Sequence, residues 1–347
     1  MNDDLLMQRC LKLAKLGEGC VSPNPMVGAV VVYDNKIIGE GYHQLYGLSH
    51  AEPNAINSVE DKELLKSSTL YVSLEPCCHW GKTPPCTDLI IKSGIKKVVI
   101  CNNDPNPKVD GGGIKILKDA GIEIITGVLE KQGRELNKRF FCYHEKKRPY
   151  ITLKWAETLD GFIDIERRKG SKEDYWITND YLKVWVHNQR ATEDCVLVGN
   201  RTVINDNPKL NVRHLLARNT IRMTIDRKLI ISENTRFYDK SQKTVIFNEI
   251  KDEVLEEMSF VKLDFEKDVL EQVINYIYSI GKNSLVVEGG KFTLEEFITK
   301  NLWDEATVLV GNKHFENGVR SPKKLLNVCY SNKEYYGDDW IEYYNNK

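Results

Sequence analysis

The stretch that organises this chain begins with His50-Ala51-Glu52 and closes with Pro76-Cys77-Cys78-His79-Trp80-Gly81-Lys82-Thr83-Pro84-Pro85-Cys86. One imidazole and two thiols are the ligands of a catalytic zinc site whose fourth position is left to water. His50, Cys77 and Cys86 are therefore the candidate zinc ligands. Glu52 follows the histidine by two positions and can move protons without binding the metal. The stretch predicts a hydrolytic zinc centre.

A histidine and glutamate followed by two cysteines is typical of zinc deaminases, in which zinc activates a water for attack on an amidine carbon. In these enzymes the glutamate moves the protons, so Glu52 is the candidate catalytic residue. A closed structural zinc site is the alternative, with Cys78 or His79 as the fourth ligand. That arrangement would occupy the water position and leave Glu52 without a role.

Cys86 follows Cys77 by nine positions, so a loop projects beside the predicted metal. This loop carries an aromatic ring, an ammonium group and a hydroxyl, at Trp80, Lys82 and Thr83. Such groups suit a heterocycle that bears a phosphate, although a solvated loop can have the same composition.

The bulk composition is that of an ordinary globular protein, and 347 residues suggest two domains. With 49 basic and 50 acidic residues, the net charge of −1 gives no general attraction to nucleic acid or to a membrane. The nine cysteines are odd in number and the acidic start lacks the layout of a signal peptide, so a disulfide framework is not expected. We expect a cytoplasmic location.

Strands and helices alternate along the chain, which predicts an α/β fold with largely parallel or mixed sheets. The first half has predicted helices at 4–17, 51–58, from 86, through 116–117 and at 131–143, with strands at 27–33, 36–43, 69–74, 97–100 and 122–128. The basic run Lys146-Lys147-Arg148-Pro149 indicates a domain boundary. The second half has predicted strands at 150–155, 195–198, 221–225, 244–247, 284–287, 305–310 and 340–344, with helices at 180–190, around 273–276 and at 293–301.

Gly289-Gly290 lies between a predicted strand and a predicted helix, where it can cradle a dinucleotide phosphate. A tight turn explains the pair equally well. The chain has no G-x-G-x-x-G, so it lacks the fingerprint of a Rossmann domain.

Taken together, these motifs closely resemble the bifunctional deaminase/reductase family of riboflavin biosynthesis. The deaminase half is carried by the zinc stretch, Asn24-Pro25-Met26-Val27-Gly28 and Asp104-Pro105-Asn106-Pro107. The reductase half is carried by a further series in the family's order: Lys154, Leu159-Asp160-Gly161, Trp176-Ile177-Thr178, Arg190-Ala191, Val198-Gly199, Thr202-Val203, Asp206-Asn207-Pro208, Leu210, Arg213 and Glu288-Gly289-Gly290. The resemblance covers essentially the whole chain.

The resemblance implies two reactions and two folds. Residues 1–146 would form a cytidine-deaminase-like three-layer α/β/α domain. This domain would carry out the hydrolytic deamination of a diaminopyrimidinone that bears a 5-phosphoribosylamino group. Residues 147–347 would form a dihydrofolate-reductase-like α/β domain that uses NADPH to reduce the opened sugar to ribityl phosphate. The implied partners are small phosphorylated pyrimidines, without nucleic acid or membrane, and a homo-oligomer is expected.

The resemblance also implies a set of site residues. Substrate-binding positions are Asn24, Lys82, Thr83, Lys154, Asp174, Arg190, Asp206, Leu210, Arg213 and Glu288. Cofactor-binding positions are Glu157, Trp176, Thr202, Asp206, Arg227, Gly289 and Gly290. Arg190 and Arg213 make sense as phosphate clamps, because a guanidinium binds phosphate with two parallel hydrogen bonds.

Four residues depart from the family's pattern, in which smaller residues are common. Cys78 replaces a serine and could compete for zinc, and Asp174 and Glu157 add acids to the reductase site. Arg227 also replaces a serine, and an arginine there can favour a 2′-phosphate on the cofactor.

Two other functions remain open from the residues alone. A deaminase of nucleosides or nucleic acid with an appended non-catalytic domain would need a basic groove and aromatic platforms, which the near-neutral charge does not favour. A non-catalytic scaffold stabilised by zinc would need a metal without an open water position.

Overall fold

The structure is a computed structural model that describes residues 2–166, 176–213, 217–322, 325 and 328–347. The chain divides into two compact units, Met1–Lys147 and Arg148–Lys347, one residue from the division expected at 146/147. Within the described residues, no helix is long and apolar enough to cross a membrane.

The first unit is built on a five-stranded sheet with the strand order β2-β1-β3-β4-β5. Strand β1 is antiparallel to both of its neighbours, whereas β3, β4 and β5 are parallel. The strands are β1 Gly28–Tyr33, β2 Lys36–Tyr42, β3 Thr69–Leu74, β4 Lys97–Asn102 and β5 Glu123–Thr126. The helices are α1 Asp3–Lys15, α2 Ala51–Ser58, α3 Cys86–Ser93, α4 Gly112–Asp119, α5 Glu130–Leu136 and α6 Lys138–Lys146, with a 3₁₀ helix at Lys62–Ser67.

Both faces of this sheet are buried because apolar side chains occupy successive strand positions, which point to opposite faces. Val31 and Val72 pack on the side of α2 and α3. Val30 and Tyr71 pack on the side of α1. The result is the expected three-layer α/β/α arrangement.

The prediction of one helix over 131–143 was wrong, because the helix ends at Leu136 and a new one starts at Lys138. Asn137 lies between them with φ −106° and ψ 25°. Its side chain accepts a hydrogen bond from the Met26 N–H and donates one to the Met26 carbonyl, both at 2.9 Å. This distant partner, which apolar periodicity does not reveal, interrupts the helix.

The second unit is built on a ten-stranded sheet with the order β11-β12-β10-β9-β8-β13-β6-β14-β17-β16. Its strands are β6 Tyr150–Thr158, β8 Cys195–Gly199, β9 Ile221–Ile225, β10 Thr244–Asn248, β11 Glu253–Val254, β12 Met258–Lys262, β13 Ser284–Val287, β14 Glu305–Gly311, β16 Val328–Tyr336 and β17 Asp339–Asn346. A separate pair is formed by β7 Phe162–Asp164 and β15 Val319–Arg320. The helices are α7 Asp180–Thr192, α8 Asn200–Asp206, α9 Val269–Ser279 and α10 Lys291–Thr299, with a 3₁₀ helix at Arg236–Tyr238.

Seven neighbouring strands of this sheet, from β12 to β14, run parallel. Helices α9 and α10 cover one face, and α7 and α8 pack on the other. The carboxyl ends of the parallel strands therefore lie along one edge, which is where open α/β sheets bind ligands.

Candidate active sites

The zinc-type residues converge at the carboxyl end of β3. His50 is the N-cap of α2 and directly precedes its first turn. Cys86 is the first residue of α3, and Cys77 lies in the segment after β3. The Nδ1 atom of His50 is 3.5 Å from Sγ of Cys77 and 3.4 Å from Sγ of Cys86. All three candidate ligand atoms lie within 4.8 Å of one another.

This donor set fits zinc, which binds imidazole nitrogen and thiolate sulfur with tetrahedral geometry. The Cys86 thiol donates a hydrogen bond to the Cys77 sulfur, and His50 lies beside that sulfur. Together these two neighbours lower the pKa of the Cys77 thiol to about 4. The same bond and burial raise the pKa of Cys86. The cysteine pair thus already contains one stabilised thiolate, at Cys77. Zinc binding would release the remaining thiol proton, which Cys86 carries.

Glu52 is buried in the first turn of α2, beside this cluster. Burial raises its pKa to about 7, and the negative Cys77 acts in the same direction. A carboxyl group that titrates near neutral pH can both take up and release a proton during turnover. The position and the protonation behaviour suit a proton shuttle.

His43 is a residue of this site that the sequence interpretation missed. Its Nε2 atom is 3.1 Å from Nδ2 of Asn24, and its Nδ1 atom is 3.0 Å from the Ser49 carbonyl. Its ring meets the His50 ring edge-on, with centroids 5.2 Å apart. His43 thereby links Asn24 to the candidate zinc ligand His50. The available signal was a histidine at the end of a predicted strand, shortly before His50.

The loop between the two cysteines is exposed at its tip. Trp80 is 75% exposed, and Thr83 is half-buried. The ammonium group of Lys82 lies over the Tyr46 ring, 4.0 Å from its centroid. Lys82 and Thr83 are therefore available at the surface for an anionic ligand.

Neither Cys78 nor His79 joins the metal cluster among the described residues. The Cys78 thiol donates to the Lys108 carbonyl at 3.7 Å, so it points into the neighbouring loop. The Nδ1 atom of His79 is buried without a described partner. A closed structural zinc site would need Cys78 or His79 as its fourth ligand. Neither residue lies in the cluster, so neither fills the fourth coordination position.

In the second unit, a buried ionic triad lies at the carboxyl end of β13. Arg190 donates from Nε to Oε1 of Glu288 at 2.7 Å and from Nη2 to Oε2 at 2.5 Å. Lys154 Nζ lies 3.4 Å from the same Oε2. Arg190 belongs to α7, Lys154 to β6, and Glu288 follows β13. Arg190 therefore pairs with a carboxylate in this structure, and its role as a phosphate clamp stays a prediction.

The charges in this triad shift one another's protonation. Burial opposes the ionisation of Glu288, but Arg190 and Lys154 outweigh it and hold its pKa at about 2. Burial lowers the pKa of Lys154, against the opposing effect of Glu288. A charged carboxylate is thus fixed between two cations in a largely dry site.

Several predicted substrate residues are more dispersed. Leu210 is buried in a core cluster and has a φ of 52°, so its side chain packs inside the protein. Arg213 is exposed, and its N–H donates to Nδ1 of His187 at 3.2 Å. Asp206 is exposed at the end of α8. Asp174 lies outside the described residues.

The glycine pair lies where two helices start. Gly289 has a φ of 114°, and no neighbour would contact an added Cβ there. A Cβ on Gly290 would come within 3.1 Å of the Thr202 hydroxyl in α8. Gly290 is also the N-cap of α10. This open backbone at a helix start is suited to close approach by a phosphate group of a dinucleotide.

The remaining cofactor candidates lie elsewhere in the second unit. Trp176 is 43% exposed, and Lys183 lies 4.9 Å above its ring. Glu157 accepts a 2.8 Å hydrogen bond from the Trp155 indole. Arg227 follows β9 and is held by Glu249, to which its Nε donates at 2.5 Å.

Comparison with known proteins decides the family. A model described as the cytidine and deoxycytidylate deaminase zinc-binding region matches residues 1–102, and one described as the RibD C-terminal domain matches residues 149–315. The riboflavin biosynthesis protein RibD of Aquifex aeolicus is 39% identical over 99% of this chain and 98% of its own length. The chain belongs to the RibD family.

Solved RibD structures share the whole fold. The diaminohydroxyphosphoribosylaminopyrimidine deaminase/5-amino-6-(5-phosphoribosylamino)uracil reductase of Thermotoga maritima has a TM-score of 0.89 and 37% identity, and 99% of each chain is covered. Acinetobacter baumannii RibD has a TM-score of 0.89 and 29% identity, with 99% of this chain and 98% of its own covered. The expected family and α/β fold are confirmed.

Membership of the RibD family establishes the general activity. The protein is a bifunctional enzyme of riboflavin biosynthesis, with deaminase and reductase activities. Its cofactors are zinc and a nicotinamide cofactor. Small phosphorylated pyrimidines are consistent with this activity as substrates. The alternative function, deamination of nucleosides or nucleic acid, is not favoured.

Proposed function

We propose that the first unit deaminates the diaminohydroxyphosphoribosylaminopyrimidine named for the Thermotoga relative and that the second reduces the resulting 5-amino-6-(5-phosphoribosylamino)uracil. The observation that carries the proposal is the convergence of His50, Cys77 and Cys86 beside the buried Glu52. These three ligands leave one position for water, as hydrolysis requires. The domain boundary near Lys147 is part of the same proposal.

In the deaminase, zinc would supply an activated water when bound by His50, Cys77 and Cys86. Glu52 takes up a proton at its carboxylate and returns it to the amino group that leaves as ammonia. Asn24 lies beside the metal cluster through its contact with His43, where it can hydrogen-bond the heterocycle. Lys82 and Thr83 bind the phosphate of the substrate.

In the reductase, the nicotinamide cofactor would supply the hydride that reduces the opened sugar. Gly289, Gly290 and Thr202 hold its phosphates at the start of α10, and Glu157, Trp176 and Asp206 belong to the same site. On the substrate side, Glu288 accepts hydrogen bonds from sugar hydroxyls while Arg190 and Lys154 keep it charged. Asp174, Leu210 and Arg213 complete the proposed substrate positions, with Leu210 acting through its backbone.

The phosphate requirement separates this function from a nucleoside deaminase. We expect ammonia release from the phosphorylated diaminopyrimidinone to exceed release from its dephosphorylated form by about 10–100-fold in kcat/KM, because charged hydrogen bonds contribute about 1.5–3 kcal/mol. Cytidine should release no ammonia. Equal rates with cytidine would contradict the proposed substrate class.

We propose NADPH as the nicotinamide cofactor, supported by Arg227 at the ligand-binding edge of the sheet. Arg227→Ala is expected to raise KM for NADPH about tenfold while leaving KM for NADH unchanged, because only NADPH carries a 2′-phosphate. Initial rates with each cofactor measure the difference. Lys267→Ala removes another exposed cation, paired with Asp264, and serves as the control. A preference for NADH in the unmodified protein would contradict the assignment.

The remaining expectations concern partners and location. Small phosphorylated pyrimidines, without nucleic acid or membrane, are the proposed partners, in keeping with the net charge of −1. The homo-oligomer and the cytoplasmic location stay predictions.

A further inference from the structure

The buried carboxylate of Glu75 hydrogen-bonds the backbone of the loop that follows β4. The residue is 3% exposed and comes directly after β3. Its Oε2 accepts hydrogen bonds from the backbone N–H groups of Asp104 and Gly111, both at 3.2 Å. Its Oε1 accepts a third, from Ile114 in α4, at 3.0 Å. One side chain therefore fixes both ends of the 104–114 loop and the first turn of α4.

This loop packs against the backbone on both sides of Cys77. An added Cβ on Gly113 would lie 2.1 Å from the Pro76 carbonyl oxygen and 3.2 Å from Oε1 of Glu75. After the ligand, the Cys78 thiol donates to the Lys108 carbonyl at 3.7 Å. The loop thus contacts the residues before and after Cys77.

The other side of Cys77 is held by the start of α3. The N–H of Cys86 donates to Sγ of Cys77 at 3.4 Å, and the N–H of Thr87 donates to the Cys77 carbonyl at 3.2 Å. Cys77 is therefore fixed between α3 and the loop that Glu75 organises. If the 104–114 loop moves, it no longer supports the backbone next to the ligand Cys77.

We propose that Glu75 is a positioning residue for the zinc ligand Cys77, acting through the 104–114 loop without contacting the metal. The inference rests on the proposed zinc site. Groups that orient metal ligands typically contribute about 10–100-fold to metal affinity. A glutamine at position 75 would offer an oxygen to some of the three N–H donors but would face the others with an NH₂ group, which cannot accept a hydrogen bond.

The test compares zinc dissociation constants in the full-length chain, measured by competition with a chromophoric chelator. Glu75→Gln is expected to weaken zinc binding about 10–100-fold. Gly113→Ala is expected to do the same through an independent route, because its Cβ would push the Pro76 backbone away. Gly112→Ala is the matched control, since its Cβ would meet only the Cys78 side chain, at 3.1 Å. Tyr71→Phe removes a 2.7 Å hydrogen bond to Asp3 from the adjoining strand β3 and should leave zinc affinity unchanged.

Thermal unfolding of the metal-free and zinc-loaded forms separates positioning from a purely structural role. The proposal predicts that Glu75→Gln reduces the stabilisation that zinc adds. Equal losses of Tm in both forms, with an unchanged zinc dissociation constant, would overturn it. If Glu75→Gln does not fold, Gly113→Ala decides by the same criterion. An unmodified protein that fails to bind zinc would overturn the zinc site itself, and this proposal with it.

Discussion

Glu52→Gln is expected to keep zinc bound and to lower deamination by a factor of about 10²–10⁴, the usual contribution of a positioned acid or base. Glutamine has the shape of glutamate, so the cluster of His50, Cys77 and Cys86 should persist. It cannot carry the proton that Glu52, with its pKa raised by burial to about 7, can hold. Metal analysis and ammonia release measure the two effects on one sample.

Reduction serves as the internal control for this variant. When the deaminated pyrimidine is supplied directly, the variant should oxidise the nicotinamide cofactor at the unmodified rate, because Glu52 lies in the first unit. Full deamination by the variant would contradict the role of Glu52. Loss of zinc along with activity would show a structural role instead.

Glu288→Gln is expected to lower the free energy of unfolding of the second unit by about 3–5 kcal/mol and to suppress reduction. The change leaves Arg190 and Lys154 buried beside a neutral amide, and uncompensated buried charges are costly. Denaturant unfolding gives the stability change, and reduction is followed through nicotinamide absorbance. Deamination should be retained.

The acid stability of the second unit should depend on the same carboxylate. The pKa of the Glu288 carboxyl group is about 2 in the folded protein, below its ordinary value of 4.5. Glu288 therefore contributes stability above pH 4.5 that is lost as the pH falls towards 2, about 3 kcal/mol in all. Arg190 stays charged over this range. The variant should lack this part of the pH dependence.

Glu249→Gln is the matched control for Glu288→Gln. Glu249 also pairs with two cations, Arg227 and Lys228, but their side chains are at least half exposed. Pairs in contact with water contribute about 0–1 kcal/mol, so the control should lose little stability. Equal losses for the two variants would contradict the special role of the buried triad.

The first unit was largely predictable because its sequence signals are local. Continuous apolar runs predicted β1 and β3. The spacing of His50, Cys77 and Cys86 predicted a cluster whose ligand atoms the structure brings within 4.8 Å of one another. The contacts of His43 and Asn137 were not predictable, because their partners are brought close only by the fold.

The second unit was less predictable for physical reasons. Strand β16 is exposed along much of its length, so it lacks the alternation of a half-buried strand. Helix α8 has a single buried residue, Val203, and polar residues at both ends. The pairing of Arg190 with Glu288 joins residues 98 positions apart, and the family resemblance had suggested a phosphate as the partner of that arginine. The function of this half was inferred from resemblance before the comparisons confirmed it.

One chain is expected to carry out two successive reactions. The most direct test incubates the purified protein with the phosphorylated diaminopyrimidinone and NADPH and measures ammonia and NADP⁺ in the same samples. Ammonia and NADP⁺ are expected to accumulate to equal final amounts, and ammonia is expected to appear first. Ammonia release without nicotinamide oxidation, or nicotinamide oxidation without ammonia, would contradict it.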